Sequence, residues 1–311
     1  MAGETSTVAI IAEVKPSPAS FPIEVDVVII GAGAAGMTAA LAAHDAGCQA
    51  DSVNTDVDQA NIDRTSDDHS LGRVRTILIE RDETPSGSTA LSSGLIPAAA
   101  TRWQQDAGVI DSVELMVDDI LTKAKGQTAR DYATTLVSNV GAALEWLTDT
   151  HGVPFSLVED FNYPGHSALR MHGHPQRTGR ALMQALNEAV SRADIPILTN
   201  ATVDTLYIDA DQRVVGVSVT RPDGQTEAIG CCAVILACNG YGGNKSLVRK
   251  HIPTMADALY FGHPGNQGHA IYWGDALGAA CADLGGFQGH GSVASPLGIL
   301  ITWAVIMEGG Y

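Results

Sequence analysis

Residues 25–47 read Val-Asp-Val-Val-Ile-Ile-Gly-Ala-Gly-Ala-Ala-Gly-Met-Thr-Ala-Ala-Leu-Ala-Ala-His-Asp-Ala-Gly. The β-branched run Val25, Val27, Val28, Ile29, Ile30 predicts a buried strand. Gly31, Gly33 and Gly36 follow at once, and then an Ala/Leu-rich helix. This is G-x-G-x-x-G between strand and helix, the context in which the motif signals a dinucleotide site. Gly31 allows the tight turn. Gly33 keeps the backbone open to a pyrophosphate. Gly36 lets the helix press onto the strand. Ala34 and Ala35 lie at the helix N-terminus, whose free N–H groups and positive dipole end favour phosphate.

Moving outward, the second strand of such a unit should end in an acidic residue about 20 positions beyond the glycines. Thr76-Ile77-Leu78-Ile79-Glu80 has that form, but Glu80 lies 44 residues past Gly36. The stretch between, Cys48 to Arg75, is polar and rich in aspartate, and shows neither a helical nor a strand period. Without it, Ala46-Gly47 would lead into the strand at the expected spacing, so 48–75 reads as an exposed insertion. Its aspartates lack the spacing of a calcium loop.

Further on, Pro85 to Gly94 is a second loop of small residues, suited either to close approach of a flat ligand or to a flexible link. Residues 111–195 read as mainly helical, with Tyr132, Leu136, Val140 and Leu144 at i, i+4 spacing and Leu182, Leu186 and Val190 on a later helix capped by Thr178. Three strands follow from Val203, turning at Asp223-Gly224 and ending in Ala233 to Cys238. An antiparallel meander beside a parallel nucleotide-binding sheet is unusual for an NAD dehydrogenase.

The chain has 311 residues, 45% of them hydrophobic, enough for a large core. Its formal net charge of −17 argues against nucleic acid and anionic membrane surfaces. No apolar run reaches the roughly 18 residues of a membrane span. Residues 1–21 lack a signal-peptide pattern and read as a disordered leader. Five cysteines, without a C-x-x-C pair, predict a reduced, cytoplasmic setting and no metal site.

At this point a family resemblance becomes specific. The sequence resembles the fumarate reductase/succinate dehydrogenase flavoproteins, which include ketosteroid and tricarballylate-type dehydrogenases. Gly31 to Gly36 comes first, then Ile79-Glu80, then Gly87-Ser88-Thr89-Ala90-Leu91-Ser92-Ser93-Gly94. Val234 to Gly242 resembles the family's "vvlAtGGyg", with Asn239 at its first glycine. Gly265-Asn266-Gln267-Gly268-His269-Ala270 resembles "tGdG", and Phe287 to Val293 resembles the strand bearing a substrate-carboxylate histidine. The resemblance implies an α/β fold: a Rossmann-like FAD-binding domain, of parallel sheet plus antiparallel meander, over 22–290 with a helical insertion. A cap domain would start at 291–311.

The implied cofactor is FAD, held by Gly31, Gly33, Ala34, Ala35, Gly36, Glu80, Arg81, Ser88, Thr89, Ala90, Ser93, Gly94, Val203, Ala237, Cys238, Asn239, Gly240, Asn266, Gln267 and Gly268. The implied reaction is hydride transfer between flavin N5 and a C–C bond beside a carbonyl or carboxylate. The partners would be a small-molecule substrate and an electron donor or acceptor that the sequence does not identify. His290 reads, on its residues alone, as a structural histidine near a glycine-rich turn or as a ligand. The resemblance makes it the catalytic candidate.

The family continues past Tyr311, and its proton-relay Glu and Arg are replaced within Ile299 to Ile306. That puts fumarate reduction in question, and the resemblance implies little turnover from these residues alone. A cofactor-binding fragment and an NAD-linked dehydrogenase are the competing readings. The basic stretch His166 to Arg180 reads as an anion-facing patch, a solvated loop or, least well, a metal site.

Overall fold

The computed structural model describes residues 12–53, 74–289, 293–294 and 299–301. In chain order the elements are β1 (Glu13–Pro16), β2 (Ile23–Ile30), α1 (Ala34–Val53), β3 (Thr76–Ile79), α2 (Gly87–Leu91), β4 (Leu95–Pro97), α3 (Arg102–Asp106), α4 (Val113–Lys123) and α5 (Arg130–Asp149). They continue with β5 (Ser156–Leu157), β6 (Met171–Gly173), α6 (Gly179–Arg192), β7 (Ile197–Leu198), β8 (Thr202–Ile208), β9 (Val214–Thr220) and β10 (Thr226–Leu236). The last are α7 (Lys245–His251), a 3-10 turn at Pro253–Met255, α8 (His269–Ala276), β11 (Val293–Ala294) and β12 (Ile299–Leu300).

The chain divides into two compact units. The first comprises the residues through Ala90, Met183–Tyr241 and Asn266–Ala280. It is built on a seven-stranded sheet in the order β1-β8-β9-β10-β2-β3-β7. β10, β2, β3 and β7 run parallel, while β8, β9 and β10 form the antiparallel meander. β10 belongs to both parts, so the meander extends the nucleotide-binding sheet. Parallel strands covered on both faces should be apolar throughout, and Val28, Ile29 and Leu78 are fully buried. One core cluster joins Val28, Ile30 and Ile79 to Val203, Leu206, Val217, Ile229 and Trp273 of α8.

Two expectations are corrected here. Glu13–Pro16, expected within a disordered leader, pairs parallel with β8, and the Ser17 N–H donates to the Ile208 carbonyl at 2.9 Å. Phe21 lies over the paired strand glycines Gly216 and Gly230, where an added Cβ would come within 2.6 and 2.7 Å of its ring. Glycine inside a strand often marks such a close approach. The 48–75 insertion is also shorter than expected: α1 continues to Val53, and Arg75 hydrogen-bonds Asp26 through its N–H at 2.8 Å. The rest of that stretch, and residues 1–11, lie outside the described residues, as do most of 291–311.

The second unit comprises Leu91–Leu182, Gly242–Gly265 and the residues from Cys281 on. It holds the small sheet β4-β6-β5 and the pair α4–α5. The buried face of α5 is Ala133, Val137, Gly141 and Leu144. Tyr132 and Leu136, expected inside, are 73% and 63% exposed. Gly141 decides the facing: a Cβ there would sit 3.0 Å from the Ala99 carbonyl oxygen. The face that carries Gly141 therefore turns inward, where the backbone comes close, and Leu144, expected inside, is buried with it. On α6, Leu182, Leu186 and Val190 are buried as expected, and Thr178 accepts the Ala181 N–H at 3.2 Å.

Candidate dinucleotide site

The turn from β2 into α1 is built by its three glycines, each in a different way. Gly31 has φ +104°, and a Cβ there would meet the Ala237 carbonyl oxygen at 2.6 Å. A Cβ on Gly36 would stand 1.9 Å from the Gly31 carbonyl oxygen. These two serve close packing of turn, helix and the end of β10. Gly33 differs: its Cβ would meet only Thr89 Oγ1, at 3.7 Å. A side chain at 33 would thus project into open space beside the first amides of α1, which a helix leaves without internal partners. That space and those donors fit a dinucleotide pyrophosphate.

Glu80, at the end of β3, is buried. Its Oε2 accepts the Ala32 N–H at 2.9 Å, and its Oε1 accepts the Asp82 N–H at 3.1 Å. It therefore ties the glycine turn to the neighbouring strand. A carboxylate has about four acceptor positions, so acceptor capacity remains. Arg81, next to it, is half-buried and lies 3.8 Å from Asp82.

The other motif segments meet the turn. Thr89 Oγ1 accepts the Ala34 N–H at 3.3 Å. Asn266, buried, donates from Nδ2 to Ser88 Oγ at 2.9 Å. The Gly268 N–H donates to the Gly240 carbonyl at 3.1 Å, and the Ala237 N–H to the Ile30 carbonyl at 2.9 Å. Ala35 is exposed on α1; Ala90, Cys238 and Gln267 are half-buried; Asn239 and Gly240 are exposed. Asn239 has φ +63°, a conformation that asparagine adopts more readily than most side chains. This explains how it replaces a glycine. The Val203 side chain lies in the apolar core, so only its backbone can face a ligand. Ser93 and Gly94 belong to the second unit, where a Cβ on Gly94 would meet the Thr178 carbonyl oxygen at 3.0 Å. His290 lies outside the described residues.

The motif reading passed over His269, the first residue of α8, whose ring lies 5.6 Å from that of Trp273. Burial, helped by the charge of Arg81, holds its pKa below the usual histidine range. Its place directly after Gln267-Gly268 was the available signal. Burial likewise pushes the Cys238 thiol up, which keeps it protonated.

The basic stretch 166–180 is structural at its centre, which differs both from the solvated loop and from the anion-facing patch that the sequence left open. Arg170 is 1% exposed and binds Asp111 through Nε and Nη2, both at 2.8 Å, and Asp119 through Nη1. Burial alone would raise the Asp119 pKa. The Arg170 guanidinium and the Ser167 hydroxyl and N–H outweigh it and bring it to about 2. His172 is fully buried; its Nδ1 faces the Arg170 carbonyl and its Nε2 the Thr101 hydroxyl, each at 2.8 Å. A carbonyl can only accept, so Nδ1 carries the proton and Nε2 accepts from Thr101. Arg177 donates to the Ser156 and Leu157 carbonyls at 3.1 and 2.9 Å.

Residues 69–311 match the family described as FAD binding domain. The chain belongs to this family. FAD is therefore the cofactor. The chain is 27% identical over 291 residues to urocanate reductase of Eggerthella lenta, covering 93% of this chain and 44% of that protein. It is 25% identical over 287 residues to NADH:fumarate oxidoreductase of Klebsiella pneumoniae, covering 91% of this chain and 28% of that protein. The open conformation of a flavocytochrome c3 fumarate reductase superposes with a TM-score of 0.76 at 26% identity, over 92% of this chain and 46% of that one. The chain thus spans less than half the length of these relatives. Among the described residues, no helix is long and apolar enough to cross a membrane.

Proposed function

We propose that the protein is an FAD-dependent oxidoreductase acting on a C–C bond beside a carbonyl or carboxylate. The observation that carries the FAD site is Gly33, whose missing side chain opens the α1 N-terminus to a pyrophosphate. Glu80 has acceptor capacity left for ribose hydroxyls while it clamps the turn through Ala32. Ser88, Thr89, Asn266 and Gly268 carry the small-residue wall onward from the turn for the flavin end. When bound, the flavin supplies the hydride-accepting and hydride-donating N5. His290 is the substrate-side group: an imidazole N–H there would donate to a substrate carboxylate or carbonyl oxygen and stabilise the charge developing on it.

The names of the relatives favour a small unsaturated carboxylate as substrate, and a separate electron carrier as partner. The electron partner follows from chemistry too, since the reduced or oxidised flavin must be returned to its starting state. The test begins with the flavin absorbance of the purified protein and the identity of the nucleotide released on denaturation. Turnover is then followed with an artificial electron donor or acceptor over a panel of unsaturated dicarboxylates, urocanate and ketosteroids. A released nicotinamide nucleotide, or no bound nucleotide after FAD is added, refutes the assignment. Turnover that survives His290→Ala undiminished refutes the role of His290.

A further inference from the structure

Asn239-Gly240 is the one Asn-Gly pair in the sequence. It lies in the turn that leaves β10 for the dinucleotide site, and both residues are exposed. The Gly240 N–H donates to Asn239 Oδ1 at 2.7 Å. The side-chain amide is therefore folded back onto the backbone nitrogen that follows it. A Cβ on Gly240 would have nothing within 4 Å, so the turn is open on that side of the residue.

We infer that Asn239 is a site of spontaneous deamidation, and that it couples the age of the cofactor-free chain to FAD binding. The Gly240 nitrogen loses its proton and forms a bond to Asn239 Cγ. The Cγ–Nδ2 bond breaks, and the amide leaves as ammonia, carrying that proton away. The product is a five-membered succinimide. Water then opens it at Cγ to give aspartate, or at the backbone carbonyl to give isoaspartate. Amide plus water becomes carboxylic acid plus ammonia, with no change of oxidation state. At neutral pH the new acid is ionised.

The position gives the reaction a consequence. The Ala237 carbonyl oxygen abuts Gly31, and the Gly240 carbonyl accepts the Gly268 N–H. A carboxylate at 239 therefore adds negative charge to the ring of turns assigned to a negatively charged pyrophosphate, and like charges repel. The isoaspartate product also lengthens the backbone by one carbon in that turn. Bound FAD, in turn, holds the 237–240 and 266–268 turns in one arrangement and slows the attack. This coupling rests on the FAD reading proposed above.

The experiment compares freshly purified chain, cofactor-free and FAD-saturated, during incubation in mildly alkaline buffer. Peptide mapping by mass spectrometry follows each asparagine, and enzymatic methylation detects isoaspartate. The expected result is conversion at 239 ahead of Asn200, Asn244 and Asn266, slowed several-fold by FAD. The aged chain and Asn239→Asp should both bind FAD several-fold more weakly than fresh chain. Asn239→Gly should abolish the time-dependent loss of binding. An intact Asn239 while other asparagines convert overturns the inference, as does conversion at the same rate with FAD bound. Failure of the FAD reading is recognised separately, because fresh chain would then bind no FAD before any ageing; the coupling falls with it.

Discussion

The three glycines of the β2–α1 turn allow ligand contact to be separated from packing. A Cβ at Gly33 meets one atom, Thr89 Oγ1, at the ordinary contact distance of 3.7 Å. Gly33→Ala should therefore leave the fold intact, with stability changed by less than about 1 kcal/mol and of either sign. Gly33→Val adds two methyl groups in the same open direction. What they displace is the pyrophosphate. Hydrogen bonds to charged groups are worth about 1.5–3 kcal/mol each, so losing two from the α1 amides costs ~3–6 kcal/mol, or roughly 10²–10⁴ in FAD affinity.

Gly36→Ala is the opposite case. Its Cβ would stand 1.9 Å from the Gly31 carbonyl oxygen, so helix and turn must part. That variant should lose thermal stability whether or not FAD is present. Gly31→Ala should do the same, since its Cβ would lie 2.6 Å from the Ala237 oxygen at a φ of +104°. The assay pairs FAD titration by flavin fluorescence with melting curves of the cofactor-free proteins. Full FAD retention by a normally melting Gly33→Val protein would refute the site. Unchanged melting of Gly36→Ala would refute the packing argument.

Other predictions rest on packing and charge. Phe21→Ala uncovers the Gly216–Gly230 pair and removes a half-buried ring, so it should cost about 2 kcal/mol, below the 3–5 kcal/mol of a fully buried phenylalanine, measured by urea denaturation. Arg170→Met leaves the fully buried Asp111 unpaired and should destabilise the second unit by about 3–5 kcal/mol, read by hydrogen exchange at β6. Asp119 titrates near 2 in the fold against 3.8 for an unperturbed aspartate, so its contribution of ~2 kcal/mol is complete above pH 3.8 and is lost as pH falls towards 2. Asp119→Asn should remove that part of the acid transition, seen as a shallower loss of stability over the same range. The exposed Cys232 and Cys281 should alkylate before Cys238, whose thiol burial holds in the protonated form, as mass spectrometry of partly labelled protein would report.

What could be read from the sequence was whatever depends on neighbours along the chain. The run Val25 to Ile30 and the glycines after it specify strand, turn and helix within one local stretch, and all three stand where they were expected. What failed depends on distant partners. The proline- and serine-rich start gave no hint of β1, because its hydrogen bonds go to β8, far along the chain. The face of α5 was misjudged for a related reason. Of the expected stripe Leu144 is buried and Val140 half-buried, but the close approach of the Ala99 backbone to Gly141 turns Ala133 and Val137 inward in place of Tyr132 and Leu136.

The basic stretch taught the same lesson with charge. Read alone, the stretch around Arg170 left both a solvated loop and an anion-facing patch open. In the fold, Asp111 and Asp119 reach it from just before α4 and from within that helix, and each of its three nitrogens donates to one of these carboxylates. A buried ion pair of this kind contributes little net stability, since desolvation offsets much of the attraction. Its effect is conditional: the buried Asp111 carboxylate is tolerable inside only while Arg170 is present. The cluster therefore fixes where residues 166–173 lie against α4, and a ligand anion could not recruit Arg170 without stranding Asp111. Any positive charge that meets substrate must come from another residue.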